Sequence, residues 1–268
     1  MSLDYSPPVA ALLMDAEPDY QAIGLTEQHI PELIELATDR EILMDWDRQA
    51  ACVAAWKALA YLHAEDAVTP LIGIFPLIDD GMHIIMNELP AAFGGIGAAA
   101  VDPLYAYMTE TNNTETARIV AVMGLIAVAE ANPDQQVTVA DLFNTTFADY
   151  ATYSNEFNGY LVMGLVKTGA TDAAKTIEQA FEAKQVDPFI IGDWDKVQVE
   201  MGLTTYEELR KKDRPDGSRP PSLREVIAEG LEEATADKRN ATKRKVDKSK
   251  KKSKRKQAAK SRKKNRKK

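Results

Sequence analysis

Cysteine and histidine, on which many catalytic and metal sites depend, are scarce in this sequence. Its 268 residues include one cysteine, Cys52, and three histidines. A single cysteine excludes a disulfide framework and a zinc site built from several cysteines. The histidines, His29, His63 and His83, have no histidine or cysteine at metal-ligand spacing. No metal site, catalytic site or cofactor is therefore predicted.

Long apolar runs are also missing. A membrane helix needs about 20 mostly apolar residues, and the best candidate, Ala67–Ile78, is interrupted by Pro70 and Pro76. The first residues lack the basic region and apolar stretch of a secretory signal. No membrane span is predicted, and the expected location is the cytoplasm.

Charge is divided unevenly along the chain. The formal net charge of −8 arises from 33 Lys and Arg and 41 Asp and Glu. Residues 238–268 contain 19 of the basic residues and one acidic residue, which makes +18, whereas residues 1–237 carry −26. Such an asymmetry is typical of a protein with a basic interaction tail. The tail has too few apolar residues to form a core and is predicted to be disordered.

Apolar residues recur at helical spacing, and the alternating pattern typical of strands is missing. Abundant alanine in residues 50–180 also favours helix. The predicted fold class is all-α. We divide the chain into an irregular N-terminal segment (1–24), an α-solenoid (25–203), a linker with a short amphipathic helix (204–237) and a disordered Lys/Arg-rich tail (238–268).

A sequence repeat underlies the solenoid prediction. Residues 57–71 align without a gap on residues 90–104, a shift of 33 positions. Third and fourth copies begin at Met123 and Met163, and the third is predicted to carry seven extra residues near 132–138. Each copy is interpreted as two helices joined by a tight turn. Such a unit cannot bury its apolar face alone, so successive copies are expected to stack.

Three details of the repeat are also predicted. Small residues at equivalent positions should let helices approach closely: Ala58, Ala91, Gly124 and Gly164. Pro70 and Pro103 should lie near the start of each second helix, where a missing N–H is tolerated. Asn158-Gly159 is a turn signal, so the first helix of the fourth copy is expected to begin only after Gly159.

Four stretches carry a resemblance to known proteins: Tyr20–Leu33, Ala55–Leu59, Glu88–Gly94, and Ile191–Asp195 with Gly202-Leu203. The units resemble HEAT-type repeats in the short form shared with phycobilisome lyase-like proteins. Residues 20–203 are also similar to a family of uncharacterised bacterial HEAT-like proteins. The resemblance implies an α-solenoid. Members of that family often end in a Cys/His-rich zinc motif called SEC-C, which a chain with only Cys52 lacks.

Other candidate groups favour structural roles. Cys52 lies among alanines and is expected to be a buried structural thiol. Adjacent carboxylates such as Asp79 and Asp80 are expected to point apart into water rather than converge in a catalytic cleft. The glycine cluster 94–97 follows no strand and lacks a Gly-Lys-Ser/Thr sequence, so it is predicted to be an interhelical turn rather than a phosphate loop.

Tryptophan supplies the predicted contact with a protein partner. Trp46, Trp56 and Trp194 are the three candidates. Trp56 has alanine and leucine neighbours and is predicted to lie in the core. Trp194 is flanked by Asp193 and Asp195 and is expected to be partly exposed, so these three residues form the predicted partner contact.

The basic tail is the strongest functional signal. Its cations can neutralise phosphates and release counterions, but it has no aromatic residues for stacking on bases. The predicted nucleic-acid contacts are Lys250, Lys251, Lys252, Lys254, Arg255, Lys256, Arg262, Lys263, Lys264 and Arg266.

We therefore interpret the chain as a non-enzymatic adaptor. Its solenoid would bind an unidentified protein partner, and the acidic surface would favour a cationic one. Its tail would contact RNA in preference to DNA. Two alternatives stay open. One is a lyase-like or hydrolytic enzyme with a carboxylate site in the solenoid groove. The other is a structural regulator whose tail masks its own acidic body.

Overall fold

The structure is a computed structural model that describes residues 5–14 and 18–213, with side chains described as far as Lys211. The chain divides into two units, Met1–Leu209 and Arg210–Lys268. Three predictions lie outside the described residues. They are the amphipathic helix after Ser222, the disorder of the tail, and the ten nucleic-acid contacts from Lys250 to Arg266.

Helix is the dominant structure, and no strand occurs among the described residues. The all-α prediction is confirmed for this part of the chain. The described α-helices are α1 (Pro7–Ala10), α2 (Ile30–Thr38), α3 (Arg40–Leu43), α4 (Gln49–Tyr61), α5 (Val68–Gly73), α6 (Ile84–Ile96), α7 (Val101–Thr109), α8 (Glu115–Ala131), α9 (Gln136–Phe147), α10 (Asn155–Lys167), α11 (Ala174–Glu182), α12 (Pro188–Ile191), α13 (Trp194–Glu200) and α14 (Tyr206–Asp213).

Among the described residues, a three-residue 3₁₀ turn that leads directly into an α-helix occurs five times, once before α2 and four times between paired helices. A three-residue 3₁₀ turn leads directly into the second helix of each pair, and these turns begin at Glu65, Ala98, Pro133 and Thr171, which are 33, 35 and 38 residues apart. The pairs are α4–α5, α6–α7, α8–α9 and α10–α11. The sequence repeat therefore corresponds to a repeated structural unit of helix, turn and helix.

The extra residues of the third copy do not lie near 132–138, as the alignment predicted. The turn at Pro133 is built like the other three. Instead α9 has twelve residues against nine in α7, and a further 3₁₀ turn, Tyr150–Thr152, follows it. The alignment could not separate these cases, because a longer helix and a longer turn shift all later residues equally.

The helices contact one another in chain order along two rows. In one row α2, α4, α6, α8 and α10 each contact the next, and α10 also contacts α12. In the other row α5 contacts α7, and α7 contacts α9. The buried residues between them are mainly aliphatic. Trp56 is buried among them as predicted, and its Nε1–H donates to the Ala37 carbonyl at 2.9 Å.

Close approach of helices depends partly on residues other than those predicted. Ala58 is buried, but Ala91 is exposed, so the prediction for Ala91 is wrong. The close contacts of α6 use the glycines one turn further on, because that face of α6 packs against its neighbours. A Cβ on Gly94 would lie 2.8 Å from the Ala127 carbonyl oxygen, and a Cβ on Gly95 would lie 2.6 Å from Ala60 Cβ.

The glycine cluster is consequently helix rather than turn over most of its length. Residues 94–96 belong to α6, and only Gly97, with φ at 95°, leaves the helix. The prediction of an interhelical turn holds for Gly97 alone. The tight packing of α6, and not the flexibility of a loop, explains the adjacent glycines.

The first helix of the fourth copy begins earlier than predicted. Ser154 caps α10, since its Oγ accepts the Phe157 N–H at 3.0 Å, and the helix runs through Asn158 and Gly159. A Cβ on Gly159 would lie 2.9 Å from Ile190 Cβ. Asn158 and Gly159 are therefore packing residues inside a helix, and the turn signal was misleading.

The ends of the described region add smaller differences. The segment 1–24, expected to be irregular, contains α1, where Pro7 and Pro8 stand in the first turn and need no N–H partner. Residues 188–191 form α12. Two further short helices, α13 and α14, begin at Trp194 and Tyr206.

Among the described residues, no single helix combines the length and apolar composition that a membrane span requires. One pair, Glu115–Ala131 with Pro133–Phe147, meets these criteria only when taken together and is bent by 119°.

Candidate partner-binding cleft beside Trp46

Trp46 lies in the turn between α3 and α4 and is 86% exposed. Its neighbour Met44 is 51% exposed. Burial of a large aromatic side chain is among the strongest stabilising contributions available to a fold, so an almost fully exposed tryptophan is informative. Trp46 does not contribute to the core of the described unit, and its surface is available to a partner.

Backbone hydrogen bonds hold the turn in a defined shape. The Asp45 carbonyl accepts the N–H groups of Arg48 at 3.0 Å and Gln49 at 2.8 Å. The Asp45 carboxylate accepts the N–H of Asp47 at 3.0 Å. Because the residues on both sides of Trp46 are fixed in this way, its indole projects from an ordered turn.

The opposing wall is the turn that leads into α6. Gly81 adopts φ of 91°, which a residue with a Cβ would avoid, and its N–H bonds the Ile78 carbonyl at 3.0 Å. Arg40 on α3 donates to Asp80 at 2.8 Å and bridges the two walls. Both side chains are about half exposed, so this ion pair contributes only roughly 0.2–1 kcal/mol.

A cavity of about 250 Å³ lies between these walls. Five of its eight lining residues are apolar; the full set is Leu43, Met44, Trp46, Gln49, Gly81, Met82, His83 and Ile84. We call this set the Trp46 cleft. The same turn borders a second cavity of about 320 Å³, lined by Leu12, Leu13, Met14, Asp47, Arg48, Ala50 and Ala51.

The partner contact predicted from sequence lies elsewhere, on α13. Trp194 is half-buried and packs on Phe181, with ring centroids 6.0 Å apart. The Asp193 carboxylate caps α13 by accepting the Lys196 N–H at 2.9 Å, and Asp195 is exposed. Partner contact through these three residues stays a prediction.

The signal for the Trp46 cleft was present in the sequence. Asp45-Trp46-Asp47 has the same acid–tryptophan–acid pattern that singled out Trp194. The pattern indicates a polar environment for the backbone but does not reveal whether the indole finds a packing partner. The four lining residues from Gly81 to Ile84 lie 35 to 38 positions away along the chain, and only the fold brings them to Trp46.

Other candidate groups have structural contacts. Cys52 is buried, its Sγ–H donates to the Leu36 carbonyl at 3.2 Å, and burial raises its pKa to about 12. His29 Nδ1 accepts the Thr26 N–H at 3.0 Å. His63 Nδ1 donates to the Gly95 carbonyl at 2.7 Å, which links the end of α4 to α6. His83 lines the Trp46 cleft.

The adjacent carboxylates of the turn before α6 take separate partners. Asp79 accepts the Thr114 hydroxyl at 2.7 Å, whereas Asp80 pairs with Arg40. Within the described ranges, no group of three or more His, Cys, Asp or Glu side chains is placed to hold a metal ion.

Comparison with protein-family models, with curated proteins and with solved structures gave no match to this chain. The resemblance to HEAT-type repeats therefore stays a prediction that rests on the sequence.

Proposed function

We propose that the chain is a cytosolic protein-interaction scaffold and that the Trp46 cleft holds its partner. The observation that carries the proposal is the 86% exposure of Trp46 beside an apolar cavity of about 250 Å³. A few buried residues contribute most of the binding free energy in protein interfaces, and tryptophan is enriched among them. An ordered turn that presents an indole to solvent suits this role.

The proposed architecture is a HEAT-like α-solenoid. It is supported by the four helix pairs with matching 3₁₀ turns and by the contacts of α2, α4, α6, α8 and α10 in chain order. In repeat proteins each unit packs mainly on its neighbours, which leaves extended surfaces for binding.

The basic tail, residues 238–268, extends the proposal to nucleic acid. Its charge of +18 suits contact with phosphates, RNA in preference to DNA, through the ten residues from Lys250 to Arg266 named above. In this proposal the tail supplies affinity that depends on salt, and the folded unit supplies selectivity for the protein partner.

Affinity purification tests the scaffold. Wild type and Trp46→Ala would be expressed in the source organism, and bound proteins would be quantified by mass spectrometry. Phe189→Ala is the matched control, because Phe189 is 95% exposed and does not line the cleft. The proposal predicts that some proteins purified with wild type are absent from the Trp46→Ala purification and present in the Phe189→Ala purification. Identical sets from all three chains would contradict it.

Electrophoretic mobility shifts test the tail. One full-length variant replaces all nineteen Lys and Arg of residues 238–268 by glutamine, and a second keeps the composition of residues 238–268 in shuffled order. We expect the glutamine variant to lose RNA binding and the shuffled variant to retain it, because phosphate contacts are independent of sequence. If roughly six to ten phosphates are engaged, wild-type affinity falls by about 10³–10⁵ between 50 and 200 mM salt. Equal binding by wild type and the glutamine variant would remove the tail from the proposal.

A further inference from the structure

The size of the Trp46 cleft limits its occupant. Pockets for drug-sized ligands and cofactors have volumes of roughly 300–1,000 Å³, and this cavity has about 250 Å³. It is open to solvent, because Trp46 and Met44 are exposed on its rim. These dimensions suit one or two side chains of a docked segment better than an enclosed small molecule.

The lining of the cleft determines which side chains fit. Leu43, Met82 and Ile84 contribute aliphatic or thioether surface, and Trp46 adds an aromatic face. Methionine side chains are flexible and adapt to ligands of different shape. A leucine, isoleucine or methionine of the partner would remove water from this apolar surface and would itself bring no polar group that needs a hydrogen-bond partner.

The charges around the cleft are predominantly negative. The two stretches that form it, residues 39–49 and 79–88, contain seven carboxylates and two guanidiniums. One guanidinium, Arg40, is already paired with Asp80, and the other, Arg48, lines the second cavity instead. Asp45 and Asp47 adjoin Trp46 directly, and Asp47 lines the second cavity together with Arg48. An apolar anchor that enters the cleft therefore passes close to the Asp45 carboxylate, within two stretches whose net charge is negative.

We infer that the Trp46 cleft binds a basic amphipathic segment of a partner protein, with an aliphatic side chain inserted beside Trp46 and Lys or Arg residues placed near Asp45 and Asp47. This inference rests on the proposed function and specifies the chemistry of the partner. Apolar burial supplies the affinity, and opposite charge raises the association rate and rejects acidic segments.

Three synthetic helical peptides test the inference against the full-length chain. The first has a leucine stripe and lysine flanks, the second replaces the lysines by glutamate, and the third replaces the leucines by alanine. Binding would be followed by fluorescence anisotropy of the labelled peptide. We expect the leucine–lysine peptide to bind and the other two to bind at least about tenfold more weakly.

Protein variants assign this binding to the cleft. Trp46→Ala is expected to weaken the leucine–lysine peptide about tenfold or more, and Asp45→Asn with Asp47→Asn about three- to tenfold at low salt, with a smaller salt dependence. Phe189→Ala should bind like wild type. All these side chains are exposed or half-exposed, so the variants should fold normally.

Each other outcome overturns the inference in a recognisable way. If the glutamate peptide binds as tightly as the lysine peptide and this binding needs Trp46, the charge preference is wrong while the scaffold proposal stands. If the glutamate peptide binds equally well to wild type and to Trp46→Ala, this binding is due to the basic tail and counts against the inference. If no peptide binding depends on Trp46, the inference fails. A dimer in sedimentation velocity that Trp46→Ala abolishes would identify a second copy of the chain as the occupant.

Discussion

Gly94 on α6 lies against the carbonyl group of Ala127 on α8, and an ideal Cβ at position 94 would stand 2.8 Å from that oxygen. The neighbouring side chain of Asn132 donates to the Gly94 carbonyl at 2.9 Å. The backbones of α6 and α8 thus lie in close contact at this point, and a backbone atom cannot move aside as easily as the end of a flexible side chain. This contact couples two successive repeat units.

Gly94→Ala is therefore expected to destabilise the protein. The added methyl group would push α6 and α8 apart, at a cost of about 1–3 kcal/mol. Urea unfolding followed by circular dichroism measures the change. Gly73→Ala is the matched control, because an added Cβ at Gly73, which ends α5, would meet no neighbouring atom within 4 Å. That variant should be neutral or more stable by about 0.4–1 kcal/mol, and similar losses in both would contradict the packing argument.

Asn158 is expected to be important for the end of the fourth repeat. It is fully buried, and its Nδ2 donates to the carbonyls of Tyr150 at 2.9 Å and Gln185 at 2.8 Å. Asn158→Ala removes both bonds, and the Tyr150 carbonyl keeps only the Tyr153 N–H at 3.3 Å, so we expect a total loss of about 1–3 kcal/mol. Asn112→Ala, at an exposed position, should change stability by less than about 0.5 kcal/mol. Thermal unfolding of both variants measures this difference. An unchanged Tm for Asn158→Ala would contradict the stabilising role of its two hydrogen bonds.

Arg118 is a buried cation whose environment is mostly aromatic. Its Nε donates to the Met108 carbonyl at 2.6 Å, and its guanidinium carbon lies 4.3 Å from the Phe157 ring centroid. Its Nη2 has no hydrogen-bond partner among the described residues. A buried polar atom without a hydrogen-bond partner carries a desolvation cost, and an apolar side chain of similar size avoids that cost.

We expect Arg118→Met to lose roughly 1–3 kcal/mol at most, since methionine fills most of the space and avoids the desolvation cost, while the Met108 carbonyl loses its donor. Arg118→Ala should lose about 3 kcal/mol because it leaves a cavity. Chemical denaturation distinguishes these outcomes. Equal destabilisation by both substitutions would indicate that the guanidinium contacts, and not its volume, stabilise the core.

The contact between Ser6 and Glu32 predicts a pH dependence. The Ser6 hydroxyl and N–H both donate to Glu32 Oε2, at 2.6 and 3.0 Å, and these bonds lower the pKa of Glu32 from its ordinary 4.5. Because the folded pKa is depressed, the contact stabilises the N-terminal segment fully above pH 4.5 and loses this effect as pH falls through the folded value.

NMR titration of the Glu32 carboxyl in wild type and Ser6→Ala tests this expectation. The pKa should rise toward its ordinary value in the variant, because both the hydroxyl bond and the ordering of the segment are weakened. The hydrogen-exchange protection factors of residues 9–13, after correction for the intrinsic pH dependence of exchange, should fall at low pH in wild type and at a higher pH in Ser6→Ala. Identical titration curves would show that Ser6 does not set this pKa.

The repeat shows how far sequence reasoning reaches. Pro70 and Pro103 lie in the first turn of α5 and α7, as predicted, because proline is tolerated only where no N–H is needed. The turn predicted at Asn158-Gly159 is wrong, because these residues make tertiary contacts inside a helix. Both residue types favour turns in isolation, but here Asn158 donates to two carbonyls and Gly159 allows the close approach of Ile190.

The candidate site was less predictable than the fold. The pattern around Trp194 and that around Trp46 are alike in sequence, yet Trp194 packs on Phe181 whereas Trp46 is exposed. Exposure depends on whether another helix covers the indole. That information lies in residues distant along the chain and cannot be obtained from the local pattern.

Helical periodicity, the spacing of proline and the separation of charge were determined by the amino-acid sequence alone, because each depends on residues within a few turns of one another. The tertiary structure decided which glycines form interhelical contacts, where the third unit gains its length and which tryptophan remains uncovered. These features depend on the distances between helices, and those distances arise only when distant segments pack together.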